Sequence, residues 1–440
     1  MAFLDALYQG EEVSNSSADW AGYQRGDRVA VIGAGIAGLA VALELQRAAK
    51  EVFVLERSIS GAGASEGNAG WVTPGLAVPL ADPSVFRYGA GVLWDPSSPL
   101  SISPRPNVDL ARFLVGFSMR ANWRSWASTY SKLLPVNQMA IACYDELDAL
   151  LGTGIVKRNS LRALFVSASA GDALTKELEL VVRHGGDIRW QCISSEDLRS
   201  AIPYASESVL GGVEILDQRS VDPTTLLSSL RTHLQELGVH FIEGIEVRRV
   251  THSGGALLVG GPGAPPIRVD DVVIATGALL PELSRMHGVR TKLQAGRGYS
   301  FSVEVQDSGK ALSPTYFPHE RVVATPLDDG TLRVGGMMEF ERPDRPVNVQ
   351  RLVALRRTAR RLLNGVNLED GPFLRPWVGS RPVTVDGLPL VGPTRTPGIW
   401  VHGGHGMWGM CQGPATGRLL AEYIVTGERP AALAGFDPLR

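Results

Sequence analysis

Val29-Ala30-Val31-Ile32-Gly33-Ala34-Gly35-Ile36-Ala37-Gly38 joins an apolar run to three glycines at G-x-G-x-x-G spacing. A helical pattern through Leu39, Leu43 and Leu45 follows. A second apolar run, Val52-Phe53-Val54-Leu55, then ends on Glu56. Strand, glycine turn, helix, strand, acid is the order of a dinucleotide-binding βαβ unit. Gly33 permits the tight turn. Gly35 lets the backbone approach a pyrophosphate, because no Cβ intervenes, and Gly38 lets helix and strand pack closely. The helix N-terminus offers free N–H groups to phosphate, and Glu56 can accept hydrogen bonds from a ribose diol.

The residues beyond Glu56 choose between nicotinamide and flavin. A nicotinamide enzyme continues here into another strand and helix. This chain instead has Gly61-Ala62-Gly63-Ala64-Ser65-Glu66-Gly67-Asn68-Ala69-Gly70, a small-residue loop suited to running along a bound flavin. Two further strand ends carry glycine turns: Val272-Val273-Ile274-Ala275-Thr276-Gly277-Ala278, and Gly398-Ile399-Trp400-Val401-His402-Gly403-Gly404-His405-Gly406. Three such turns point to one long cofactor, FAD, across one sheet. No second fingerprint is present, so the organic substrate itself is expected to reduce the flavin.

At 440 residues the chain exceeds one ordinary core, and two domains are expected. The expected fold class is α/β: an FAD-binding Rossmann-like domain interleaved with an α+β substrate domain on a mainly antiparallel sheet. Residues 1–27 read as an appended arm. Segments 28–80, 217–290 and 383–440 are assigned to the FAD domain, and 81–216 and 291–382 to the substrate domain. Helices are expected over Asn107–Leu134, Val136–Leu151, Pro223–Leu237, Val349–Leu363 and about Pro414–Val425. Ile245–Val272 reads as a hairpin region.

A net charge of −2 gives no electrostatic reason to expect nucleic acid. Cys143, Cys192 and Cys411 have no metal-type spacing and fit a reducing compartment. No metal is expected. No apolar run approaches the ~20 residues needed to cross a bilayer, and the acidic N-terminus does not read as a secretory signal. A cytoplasmic protein is expected, with peripheral contact at the inner membrane face as the alternative. That alternative comes from Arg112 to Lys132, where Arg112, Arg120, Arg124 and Lys132 mix with Phe113, Phe117, Trp123, Trp126 and Tyr130. Basic aromatic helices bind anionic membranes; the other reading is a core helix with solvated basic positions.

From about Val29 onward the chain resembles the D-amino-acid dehydrogenase branch of the FAD-dependent amine and amino-acid oxidoreductases. That group includes glycine-oxidase-like and glyphosate-oxidoreductase-like enzymes. The marks are Gly67-Asn68-Ala69-Gly70, Leu93-Trp94-Asp95-Pro96-Ser97-Ser98-Pro99-Leu100, Arg297-Gly298-Tyr299, Arg381-Pro382-Val383-Thr384-Val385-Asp386-Gly387-Leu388-Pro389 and Gly404-His405-Gly406. The resemblance implies oxidation of an amino acid, a D-amino acid first, with hydride passing from Cα to flavin N5. Imine, then 2-oxo acid and ammonia, are the products. The enzymatic alternative is oxidation of a secondary amine, such as an N-substituted glycine or D-hydroxyproline. The alternative of another class is a flavin-bearing protein that binds its ligand without turnover. Dehydrogenases of this kind pass electrons to a quinone, which the resemblance makes the expected acceptor over oxygen.

Such chemistry needs a carboxylate clamp rather than an acid–base pair, since the flavin carries the reaction. Arg381 is the first candidate, because a guanidinium grips a carboxylate with two parallel N–H bonds; the resemblance places it over the flavin. The competing reading is an ion pair with Asp386 or another acid. Arg297 and Tyr299, in a loop ahead of an alternating strand, are a second pair of candidates; against this, the arginine is a surface residue and the tyrosine a packed aromatic. His405, between two glycines at a strand end, is expected beside flavin or substrate amine.

In glycine-oxidase-like relatives an arginine falls in the next loop, where this chain has Met407 and Trp408. That departure argues against glycine and for a substrate side chain with apolar or aromatic contacts. The expected cofactor contacts are Gly33, Gly35, Ile36, Gly38, Glu56, Arg57, Ser65, Asn68, Ala69, Gly70, Val247, Thr276, Gly277, Gly404, His405, Gly406, Met407 and Gly409. Cys411 is weighed as a covalent flavin tether and read as a structural thiol.

Overall fold

The computed structural model describes residues 26–58, 63–81, 98–102, 108–152, 154–194, 196–198, 202–253, 256–262, 265–306 and 313–440. Nearly all of the proposed arm, and Leu93 to Ser97 of the family marks, lie outside this set.

The opening stretch folds as its pattern requires. Arg28–Ile32 is a strand, Ile36–Arg47 a helix and Glu51–Glu56 a second strand parallel to the first. Val29 to Ile32 and Val52 to Leu55 are apolar runs without alternation because both sheet faces are covered. The sheet has six strands, in the order Leu390–Pro393, Ile399–Gly403, Asp271–Ile274, Arg28–Ile32, Glu51–Glu56, His240–Glu243. All neighbours are parallel except the terminal hairpin formed by Leu390–Pro393 and Ile399–Gly403. The three glycine turns therefore stand at the carboxyl ends of adjacent strands, the edge where open α/β sheets bind ligands.

The hairpin region is a separate antiparallel sheet of Arg249–Ser253, Ala256–Gly260 and Ile267–Val269. It covers one face of the six-stranded sheet through Val250, Leu257 and Val259.

A third, ten-stranded sheet is mainly antiparallel. Leu374–Thr384, at one end of its strand order, Leu293–Val303 and Leu332–Phe340 lie side by side. The helix Val349–Leu362 buries Leu352, Leu355 and Ala359 in the core behind them. The fold is thus mixed α/β, with a parallel nucleotide-type sheet and a large antiparallel sheet contributed by interleaved segments.

Two helix boundaries differ from expectation, both at prolines. The break between the two central helices falls at Asn122, not Pro135. The first helix is Val108–Arg120; the second runs from Trp123 to Leu151 with Pro135 inside it. Asn122 starts that helix because its side chain accepts the Ser125 N–H at 3.0 Å. An interior proline costs a helix ~3 kcal/mol, offset here by burial of Leu133, Val136, Ala140 and Tyr144 on one face. The last helix begins at Gly409, so Pro414 lies within it rather than opening it. Pro414 has no N–H to give the Met410 carbonyl, and the Tyr144 hydroxyl donates to that carbonyl instead, at 2.5 Å.

Arg297 also differs: it lies within the strand Leu293–Val303, ahead of a bulge before Tyr299, not in a loop. In the basic aromatic segment, Phe113, Phe117, Trp126 and Tyr130 face the core. Val115, Met119 and Trp123 face outward, 63%, 74% and 58% exposed. No helix among the described residues is long and apolar enough to cross a membrane.

Candidate active site

The carboxyl edge of the parallel sheet opens into a cavity of about 570 Å³. Gly33, at φ +111°, makes the turn, and a Cβ there would meet the Ala275 carbonyl at 2.6 Å. A Cβ on Gly38 would lie 1.8 Å from the Gly33 carbonyl, so helix and strand touch through it. The Gly35 position faces open space except for Ser65 Oγ, 3.2 Å away. That hydroxyl accepts the first helical N–H, of Ile36, at 3.1 Å, and Glu56 accepts the Ala34 N–H at 2.9 Å. On the same cavity Thr276 Oγ1 and His402 Nδ1 are buried without a hydrogen-bond partner among the described residues. Buried polar atoms are normally paired. An elongated polar cradle with open acceptors and donors fits a dinucleotide.

Of the expected cofactor contacts, Gly33, Gly35, Ile36, Glu56, Arg57, Ser65, Asn68, Val247, Thr276, Gly277, His405, Gly406, Met407 and Gly409 line this cavity. Ala69 lines the neighbouring one. Gly38, Gly70 and Gly404 line neither. Gly70 and Gly404 are required by packing: at positive φ, a Cβ on Gly70 would strike the Val221 carbonyl, and one on Gly404 the Thr384 side chain. Cys411 lines neither cavity; burial pushes its thiol up to about 12, so it stays protonated.

A second cavity, of about 210 Å³, lies between this cradle and the antiparallel sheet. Arg381, Trp377, Met407 and Asn68 border both. Arg381 does not pair with Asp386, which accepts Arg440 at 2.7 and 3.0 Å instead. Among the described residues its one hydrogen bond is to the Met337 carbonyl, at 2.8 Å. Met337 adopts φ +62°, a left-handed conformation rare for its type. The Arg381 guanidinium rests on Gly298, whose missing Cβ leaves its room. Desolvation lowers its pKa to about 10, against a small opposing influence of Tyr316. It remains a cation, deep-set and without a carboxylate partner among the described residues.

Tyr299 and Arg297 are placed differently. The Tyr299 ring lines the smaller cavity, but its hydroxyl donates to Glu339. Arg297 is buried and borders neither cavity; it donates to the Arg345 and Pro346 carbonyls at 2.7 Å and faces Glu339 at 3.6 Å. This strand thus ties its polar groups together behind the cavity, whereas Arg381 borders it.

His405 and His402 both contact Thr416 Oγ1 through Nε2, at 2.9 and 2.8 Å. Thr416 has one proton and directs it to the helix carbonyls of Gln412 and Gly413. His405 therefore donates from Nε2 with its Nδ1 an acceptor, while His402 also meets the Ala37 backbone. Burial drives both below the ordinary histidine range, His402 to about 4. They are neutral at pH 7.

Two cavity residues escaped the sequence reading. The Trp377 ring lies against Gly67 and Gly379, which have no side chains to exclude it. Arg333 is buried on the same sheet face. Neither sits in a motif; the signal was strand alternation, which places Arg333 and Gly335 on one face.

Parallel sheet, glycine cradle and adjoining substrate-sized cavity together define a dinucleotide-dependent oxidoreductase. More narrowly, the chain belongs to the DAO family, described as FAD dependent oxidoreductase, whose pattern it matches over residues 28–423. It is an enzyme with FAD as cofactor, which sets aside the non-catalytic alternative.

The chain is 28% identical over 420 residues to the D-amino acid dehydrogenase of Chromohalobacter salexigens, spanning 94% of this chain and 98% of that protein. It is also 28% identical over 403 residues to the D-amino acid dehydrogenase of Cereibacter sphaeroides, spanning 90% and 91%. Glycine oxidase from Geobacillus kaustophilus shares the fold with a TM-score of 0.71 at 22% identity, over 94% of this chain and 99% of that one. Iminodiacetate oxidase from Chelativorans sp. BNC1 does so with a TM-score of 0.67 at 20% identity, over 93% and 99%.

Proposed function

We propose that this enzyme oxidises an amino acid, a D-amino acid first, at its Cα–N bond. The observation that carries the reading is Arg381, a deep-set cation with no carboxylate partner among the described residues, standing where the smaller cavity meets the cradle. Similarity to D-amino acid dehydrogenases supports the same substrate class. Residues 28–80, 217–290 and 383–440 would hold the cofactor, and 81–216 and 291–382 would shape the substrate cavity.

Bound FAD supplies the two-electron acceptor. Arg381 grips the substrate carboxylate in two-pronged fashion and so fixes Cα. Met407, Trp408, Phe117 and Phe340 form apolar walls that exclude water. The Cα–H bond breaks with its electron pair leaving as hydride while the lone pair of the neutral amine forms the C=N bond, giving a protonated imine. Water then opens the imine to a 2-oxo acid and ammonia. Neutral His405 offers Nδ1 as an acceptor at the cavity edge, not a charge. The helix beginning at Gly409 has no side-chain cap, so its N-terminal dipole is available to negative charge in the cradle.

An anaerobic screen of D- and L-amino acids and N-substituted glycines for bleaching of the flavin absorbance tests this. Bleaching by D-amino acids is expected. Bleaching by secondary amines alone would transfer the assignment to that class, and bleaching by none would end the reading.

The acceptor is proposed to be a quinone, reached by docking of the outer face of Val108–Arg120 and Trp123 on an anionic membrane. That face carries Val115 and Met119 with Arg112, which is 66% exposed.

A further inference from the structure

The smaller cavity has a second cationic pole that the reaction above does not use. Arg333 is only 7% exposed and lines the cavity wall. Among the described residues it donates once, from a terminal nitrogen to the Glu66 carbonyl at 3.1 Å. Its Nε is buried with no hydrogen-bond partner among the described residues. No described carboxylate lies within ion-pair distance. Asp222, Glu66 and Asp329 act on it only at longer range, opposed by Arg375, and Asp222 is already committed to the N–H groups of Thr224, Thr225 and Asp328. An arginine desolvated in this way is costly unless an anion completes it.

Its position relative to Arg381 gives the ligand's shape. The Arg381 guanidinium rests on Gly298. Arg333 holds the Glu66 carbonyl, and the next carbonyl, of Gly67, accepts the Ser300 hydroxyl at 3.3 Å. Gly298 and Ser300 are alternate residues of one strand and share a face about 7 Å apart. Gly335, opposite Ser300, keeps that face open. A small dicarboxylate fits one cavity of about 210 Å³ bordered by both cations, and the apolar walls around Met407 and Trp408 suit its methylene groups.

We propose that Arg333 is a specificity-determining residue that binds a second carboxylate, so that the preferred substrate is a dicarboxylic amine. The proposal rests on the reading of Arg381 as the clamp for the first carboxylate. The second carboxylate comes either from an acidic amino-acid side chain or from an N-carboxyalkyl group, and two substrate arms separate these sources.

The test uses the FAD-loaded enzyme. Binding of glutarate and of butanoate, neither oxidisable at an amine, is followed by perturbation of the flavin spectrum. D-glutamate against D-glutamine, and iminodiacetate against sarcosine, are compared by anaerobic flavin reduction. Glutarate is expected to bind about 10- to 100-fold more tightly than butanoate, the usual worth of hydrogen bonds to a charged group. Arg333→Gln, which keeps a donor for the Glu66 carbonyl, should collapse that ratio towards one, and Arg333→Lys should restore part of it. The faster of D-glutamate and iminodiacetate identifies the source.

Equal binding of glutarate and butanoate by the parent enzyme would overturn the proposal. So would loss of FAD in both variants, which would make Arg333 a strut for the Glu66 loop. Arg333-dependent glutarate binding with no amine bleaching the flavin would defeat amine oxidation and leave this site standing. Amine bleaching without any dicarboxylate preference would do the reverse.

Discussion

Asp386 is bound by both prongs of Arg440, while Arg381, five positions earlier, donates instead to the Met337 carbonyl. Desolvation is opposed at Asp386 by Arg440, which holds its carboxyl below the usual range.

Arg381→Lys should raise KM for a carboxylate substrate about 10- to 100-fold, since lysine keeps charge but loses the paired geometry. FAD content should be nearly unchanged. Steady-state kinetics with flavin absorbance on the same sample measures both, and unaltered kinetics would assign Arg381 to structure.

Gly35→Leu should empty the cradle of FAD while the chain still folds, because the added side chain projects into the cavity near Ser65. Gly38→Leu should instead prevent folding, since its Cβ would overlap the Gly33 carbonyl. Flavin-to-protein ratio and circular dichroism separate the two. The parent protein should carry FAD near one-to-one and need no NAD.

Tyr144→Phe leaves the Met410 carbonyl unpaired in the core beneath Pro414. The loss should be about 1–3 kcal/mol, read as a lower thermal midpoint. A Pro414→Ala change in the same chain should recover part of it, because alanine restores the N–H. Failure of that rescue would show that the hydroxyl serves another purpose.

Acid should destabilise the protein through its buried histidines. The pKa of His402 falls from 6.5 to about 4 on folding because burial disfavours its charged form. The unfolded chain therefore takes up a proton that the folded one refuses, and stability drops as pH falls from about 6.5 towards 4. The thermal midpoint across that window should slope less in His402→Gln.

Quinone analogues should oxidise the reduced enzyme faster than oxygen does. Anionic vesicles should bind it at low salt and release it as salt shortens the ~8 Å screening length of physiological solution. Met119→Ser with Trp123→Ser should weaken that binding. Hydrogen peroxide in stoichiometric yield and no vesicle binding would instead mark a freely diffusing oxidase.

Local patterns carried most of the cradle. Gly33, Gly35, Gly38, Glu56 and Ser65 act through backbone geometry within one βαβ unit and its following loop, so their spacing alone reports their neighbours. Helix limits were less legible, because Pro135 and Pro414 read as boundaries when considered locally. Burial of Tyr144 and its neighbours, supplied from elsewhere in the chain, lets both helices continue through them.

The sequence by itself determined the parallel nucleotide-binding sheet, the three glycine turns on one edge and the flavin cofactor, since these depend on short-range periodicity and on glycine's missing side chain. Only the tertiary structure decided which arginines meet the cavity. Arg297, Arg333 and Arg381 have the same chemistry and lie on neighbouring strands, but a bulge after Arg297 and the pairing register of Leu332–Phe340 and Leu374–Thr384 set their sides. Long-range contacts then set their surroundings: Glu339 and two carbonyls hold Arg297 away from both cavities, while Arg381 borders both with no described carboxylate partner. A charge finds its partner in three dimensions, and spacing along the chain does not encode which partner that is.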